Sequence, residues 1–360
     1  MTTPVQSVIK KISQVILKVP QKISFHVTLL IISTGRKNYA DMARSNGISY
    51  TQAYVRKENV EESLSESVDF LHSIIKSRST RSNPGYLIID FTMLPKPFSE
   101  KIDNVTYDFD GVGKRVSKGL SLAFVFWSDG TVMVPFDFTF WLSQKDAGEL
   151  YKKKTEIVQE LVQLARDKGI PFNEVRLDGA FASEELMKFF LNAGIHFTIK
   201  IPCNRVIVSK HGSFQLKEHP QLKMNRNQKF KTIHASYKGL NLYFTAEKRN
   251  GKKGKKEVVF IVSDLIRTPK MHIKAYKKRW PCEKYFRTSK QSIGLSHNQS
   301  TNYNKQKFHI FAAMIAFTVL HLIQIDQKKK SVEEVLKVIR LQKQWSILSK
   351  YIDLETTFMD

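Results

Sequence analysis

Apolar and polar positions alternate along the chain in two rhythms. Residues 1–85 carry apolar positions at helical spacing among basic ones, and the polar run SRSTRSNPG (77–85) closes them with a turn signal. Short β-type runs follow. YLIID (86–90) reads as an apolar strand that stops at a carboxylate. LSLAFVFW (120–127) and TVMVPFDF (131–138) flank Ser-Asp-Gly, and an Asp-Gly between two such runs predicts a hairpin. Residues 144–168 return to helical spacing, with Ile157, Leu161, Leu164 and Ala165 on one face. EVRLD (174–178) is another strand ending in Asp. Residues 183–194 form a helix with Glu184 and Glu185 in its first turn and Gly194 at its end, and HFTIKI (196–201) is a fifth strand.

Beyond residue 201 the pattern changes. Short alternating segments such as RVIVS and LNLYFTA, separated by Gly, Asn and Lys, predict a β-rich insertion over 202–257. VVFIVSD (258–264) resumes strand character, and helices are expected from about residue 269. The apolar run 308–325 borders on the length of a membrane span. It contains His309, His321 and Gln324, and a buried helix is the expectation. The whole predicts a mixed α/β chain with five parts: a helical region over 1–83, α/β segments over 84–201 and 258–327, the insertion over 202–257, and a helical tail over 328–360.

Charge narrows the partners. The chain has 58 Lys and Arg against 33 Asp and Glu, a net charge of +25. Nucleic acid is the leading expectation, because neutralising phosphates releases counterions, and a membrane surface comes second. The two cysteines, Cys203 and Cys282, have no metal-binding or disulfide-framework spacing, which fits an intracellular compartment. Residues 23–33 are apolar but short and lack a cleavage pattern, so no secretory signal is expected. Within the helical region, residues 38–57 suggest two short helices crossing at Ala43 and turning at Gly47. This is the layout of a helix-turn-helix or of an ordinary helical hairpin. In the first case Tyr50, Thr51, Gln52, Arg56 and Lys57 lie on or near a DNA-recognition helix.

Candidate chemistry resides in carboxylates. Asp90 and Asp178 each end an apolar run, and Asp137 and Asp264 show that such a position also arises without function. Clustered carboxylates suit Mg²⁺ or Mn²⁺, which prefer hard oxygen ligands, and two such ions can serve an in-line phosphoryl transfer. The stretch AYKKRWPCEKYFRTSK (275–290) holds six cations and one acid, Glu283. Such a stretch can serve an anionic partner with Glu283 either incidental or functional. Using Asp90 and Asp178 as the acid pair of a glycoside hydrolase is the third reading, and the charge argues against it.

Tyr276, Arg279, Glu283 and Lys290 match the pattern Y-x2-R-x3-E-x6-K. Together with Trp280, Phe286, VRLDGAFAS (175–183), YLIIDFTMLPKP (86–97) and the hairpin 118–138, they resemble the insertion-sequence-four family of DDE transposases over residues 84–325. The resemblance implies a ribonuclease-H-like catalytic fold. It implies that Asp90, Asp178 and Glu283 hold two Mg²⁺, with Mn²⁺ as a substitute. It implies cleavage of double-stranded DNA at element ends, transfer of the 3′-hydroxyl to target DNA, and Tyr276, Arg279, Trp280 and Lys290 on the DNA. A dimer bridging two ends, in a bacterial cytoplasm, is also implied; a catalytically inactive DNA-binding relative is the alternative. Offsets of 0, 3, 7 and 14 fall within about 60° of one helical face. Pro281 interrupts that helix: either it kinks, or a new helix starts there.

Overall fold

A computed structural model describes residues 4–53, 60–111, 113–250 and 256–343. Its centre is a strand long enough to be covered on both edges. β1 (Tyr86–Pro95) runs antiparallel to β3 (Arg115–Ser128) along its whole length, from Tyr86 opposite Ser128 to Pro95 opposite Gly119. On its other edge β1 runs parallel to β5 (Glu174–Leu177), which runs parallel to β6 (His196–Ile201). β2 (Thr106–Asp110) pairs with the start of β3, and β4 (Met133–Trp141) closes the predicted Asp-Gly hairpin. The order β4-β3-β1-β5-β6, with two parallel pairings beside an antiparallel hairpin, is the ribonuclease-H-like arrangement.

The sheet continues past β6. β11 (Lys256–Ser263) pairs with β6, Ile201 lying opposite Phe260. β10 (Leu240–Asn250), β9 (Phe230–Tyr237), β7 (Val206–Ser209) and β8 (Gly212–Gln215) then extend it to eleven strands. The alternating segments of 202–257 are therefore hydrogen-bonded into the main sheet.

Helices cover this sheet because β3 is apolar on both faces: every residue from Gly119 to Ser128 is buried. The N-terminal helices are α1 (Pro4–Ile16), α2 (Gln21–Ile32), α3 (Tyr39–Asn46), α4 (Tyr50–Ala53) and α5 (Val60–Arg78). α6 (Gln144–Ala147), α7 (Lys154–Asp167) and α8 (Glu184–Asn192) follow, then α9 (Pro269–Lys277), α10 (Pro281–Thr288) and α11 (Tyr303–Asp326). α7 packs on β1, β3 and β4, and α8 on β6. α11 is long and apolar enough to cross a membrane, but it is buried continuously from Phe308 to Leu320 and packs on α1, α2, α5 and β4. It is the core helix expected from its composition.

Three expectations change. β1 does not stop at Asp90; it runs five residues further, because FTMLP pairs with residues 119–123 of β3. The helix expected over 144–168 is two helices, parted where Gly148 takes a φ of 56° that ordinary residues avoid. β2 was not anticipated. Around residue 47 the structure has α3, capped by Asn38, then Gly47 at φ 63°, then α4 with Tyr50 exposed and Ala43 buried. Arg56 and Lys57 lie outside the described residues.

Candidate active site

The parallel pairing of β1 and β5 aligns two acids. Leu87 stands opposite Val175 and Ile88 opposite Arg176, and the same offset carried two residues on brings Asp178 level with Asp90. Asp90 lies in mid-strand and Asp178 just past the end of β5, where the chain enters a 3₁₀ turn at Gly179–Phe181.

The third acid arrives on a broken helix. Thr268 caps α9 by accepting from the Met271 amide, and Pro269 occupies its first turn. α9 ends at Lys277, and α10 starts at Pro281, so the second of the two alternatives holds. Proline offers no N–H and its ring crowds the carbonyl four residues earlier. The backbone answers with i→i−3 bonds: Arg279 N to Tyr276 O (2.9 Å), Trp280 N to Lys277 O (3.1 Å), Cys282 N to Arg279 O (3.1 Å) and Glu283 N to Trp280 O (3.1 Å). Tyr285, fully buried, anchors α10 edge-on against Phe124 and Phe126 of β3 and against Phe317 of α11. Glu283 is thereby held two residues from a fixed point. A π-helical turn, Ser289–Ile293, follows α10 and carries Lys290.

All four residues of the Y-R-E-K pattern reach toward β1 and the end of β5. Tyr276 Oη donates to Asp178 Oδ1 at 3.0 Å. Arg279 bridges two acids, Nη1 to Asp90 Oδ2 at 2.9 Å and Nη2 to Glu283 Oε1 at 2.5 Å. Lys290 Nζ donates to the Met93 carbonyl at 2.8 Å, three residues along β1 from Asp90. Trp280 is 58% exposed and lines the mouth of a cleft of about 530 Å³ together with Asp178, Glu283, Arg279, Lys200 and Arg249.

Charge is unevenly balanced here. Burial pushes the Asp90 carboxyl above its usual range, Arg279 opposes this, and Asp178 adds to it. Burial likewise raises Glu283, opposed by Arg279 and reinforced by the other two acids. Asp178 is held below the usual carboxylate range: burial would raise it, but the Gly179 amide, Arg279, Lys200 and Tyr276 prevail. Cys282 is buried with its Sγ 3.4 Å from both Asp90 Oδ2 and Arg279 Nη1, and burial keeps it a thiol. The pattern residues were visible in the sequence. As site residues, Cys282, Lys200 and Arg249 were not; Lys200 left a faint signal, as a cation between two isoleucines of a strand.

Among the described residues no three His, Cys, Asp or Glu side chains are grouped closely enough to hold a metal ion. Arg279 stands between two of the three acids. The donor set nevertheless suits a hard divalent cation: it is all carboxylate oxygen, and two members are held above their ordinary pKa, chiefly by burial.

A fold that brings carboxylates from two parallel strands and a later helix close together is that of the DDE nucleases. The chain matches the DDE superfamily endonuclease family over residues 23–231, more than half its length, and belongs to that superfamily. It also matches the transposase DDE domain over residues 152–319, a span that includes Asp178 and Glu283. No curated protein matches the chain. Enzymes of this superfamily generally use divalent metal ions, and their substrate is DNA.

Proposed function

We propose that the protein is the transposase of an insertion sequence, resembling the insertion-sequence-four family, which cuts DNA at its element's ends and joins the freed 3′-hydroxyl to target DNA. The observation that carries this reading is the convergence of acids from widely separated parts of the chain: Asp90 and Glu283 on one guanidinium, and Asp178 on Tyr276 three residues before it, beside an open cleft that Asp178 and Glu283 line. Asp90, Asp178 and Glu283 would hold Mg²⁺, two ions in the resembling family. When bound, these would activate water and stabilise the oxygens of an in-line displacement.

The chain's own groups complete the site. Lys200 and Arg249 line the cleft and would balance the phosphates of an entering strand. Exposed Trp280 offers a face on which a base can stack. Tyr276 fixes the orientation of Asp178 through its hydroxyl, whose pKa burial raises, so it remains a donor. The α3–α4 turn is assigned as a helix-turn-helix that grips duplex DNA, with Arg56 and Lys57 following α4 in sequence. A homodimer bridging two element ends, working at the bacterial nucleoid, completes the proposal.

The test is Mg²⁺-dependent cleavage of duplex DNA carrying the element's own ends. Glu283→Ala is expected to abolish cleavage while end binding, read by mobility shift, is retained. Cleavage by the variant at the wild-type rate overturns the site.

A further inference from the structure

Arg279 raises a question that phosphate gripping alone does not answer. Its side chain is only 8% exposed, and both terminal nitrogens are committed, one to Asp90 and one to Glu283. It sits where a cation shared by those two acids would sit. We infer that Arg279 is a built-in counter-ion that closes Asp90 and Glu283 to divalent cations until a DNA phosphate draws it away, so that metal and DNA load together. The inference rests on the proposed nuclease site.

The chemistry leaves one way to release these acids. A guanidinium keeps its proton at any pH a protein survives, and the neighbouring Asp90 and Asp178 carboxylates hold this one more firmly still, so Arg279 cannot be neutralised in place. It must move, and a second anion must receive it. Phosphate is the matching partner, because it accepts the same two-pronged fork as a carboxylate. The closed position is also incompletely satisfied. Arg279 Nε is buried with no hydrogen-bond partner, the kind of unmet donor that lowers the cost of leaving. Lys200 and Arg249 line the same cleft and would draw a phosphate to within reach of Arg279. A site closed by its own arginine and opened by substrate would not load metal idly and would not cut without DNA in place.

Mn²⁺ binding to the full chain, followed by calorimetry and by the electron-spin signal of free Mn²⁺, tests this. Without DNA, Arg279→Gln is expected to bind Mn²⁺ at least about tenfold more tightly than wild type, because a closed population divides the apparent affinity by the fraction open. Adding a short duplex of the element's end, with Mn²⁺ bound by duplex alone subtracted, is expected to tighten wild type toward the variant and to change the variant little. Arg279→Lys, which keeps the charge but has no fork, is expected to fall between. Equal or weaker Mn²⁺ binding by a folded Arg279→Gln overturns the inference. Wild-type affinity that is the same with and without duplex overturns it independently of any variant. Asp90→Asn separates the two readings: undiminished Mn²⁺ binding by that variant removes the nuclease site itself.

Discussion

The two ends of β5 carry acids with opposite surroundings. At its start, Glu174 is answered by two guanidiniums. It accepts from Arg176 Nη2 at 2.7 Å, from Arg267 at 2.8 and 3.1 Å, and from the Thr198 hydroxyl. Burial would raise its pKa, yet the arginines pull it down to about 2. Just past the other end, Asp178 is held by Tyr276 and Lys200, while Asp90 and Glu283 share a single arginine, and both of these are raised. One end has more positive charge than it needs and the other has less. The surplus end is a lock: Arg176 also lies over the Tyr86 ring, 3.4 Å from its centroid, and Tyr86 Oη donates to the Lys278 carbonyl at the break between α9 and α10. The deficient end is the proposed site. The ratio of acids to cations separates the two roles, although both sets are largely buried.

Breaking either end should have different consequences. Asp90→Asn is expected to abolish metal-dependent cleavage, the largest effect. Its melting midpoint without metal should stay level or rise, since the variant relieves a carboxylate that burial disfavours. A marked drop in the midpoint would mean that Asp90 is structural after all. Glu174→Gln, in contrast, is expected to cost about 3–5 kcal/mol in denaturant unfolding, because it leaves two buried guanidiniums without their acid. The pH dependence has a definite sign. A carboxylate whose pKa falls from 4.5 unfolded to about 2 folded stabilises the native state fully above pH 4.5, and that stability is lost as pH falls toward 2. Wild type should therefore weaken over that window by about 3 kcal/mol more than Glu174→Gln does.

Asp137 extends the comparison to an acid whose direct partner is one backbone amide, Phe138 N, at 2.8 Å. Burial raises its pKa to about 6, with Lys168 and Lys307 opposing. The sign here is reversed. The folded state holds the proton that the unfolded chain releases, so stability declines as pH rises from about 4 through 6. Asp137→Asn should remove that decline and stabilise the protein at pH 7 by up to about 3 kcal/mol, read as a higher melting midpoint.

The candidate site was legible in the sequence wherever chemistry is written locally. The Y-R-E-K spacing, the Asp-Gly hairpin, the acidic first turn of α8 and the proline break all rest on neighbouring residues. Partners distant in sequence left no such trace. YLIID looked finished at Asp90 because nothing local shows that FTMLP would find β3. Asp264 resembled a catalytic strand end, yet it accepts from the Phe197 amide at 2.8 Å and lies 2.6 Å from His196 Nδ1, tying β6 to β11. The Glu174 lock left little trace because Arg267, the arginine that completes it, lies 93 residues away.

The antiparallel pairing of β6 with β11 also bears on how such a chain can change length. The chain leaves the central strands at Ile201 and returns at Phe260, directly opposite. Exit and re-entry are neighbours, so whatever lies between closes a loop whose ends are already joined. Lengthening such a loop costs only about 0.6 kcal/mol for each doubling. The excursion can therefore be enlarged or exchanged over generations while Asp90, Asp178 and Glu283 keep their places, and the surface beside the proposed site becomes free to diversify.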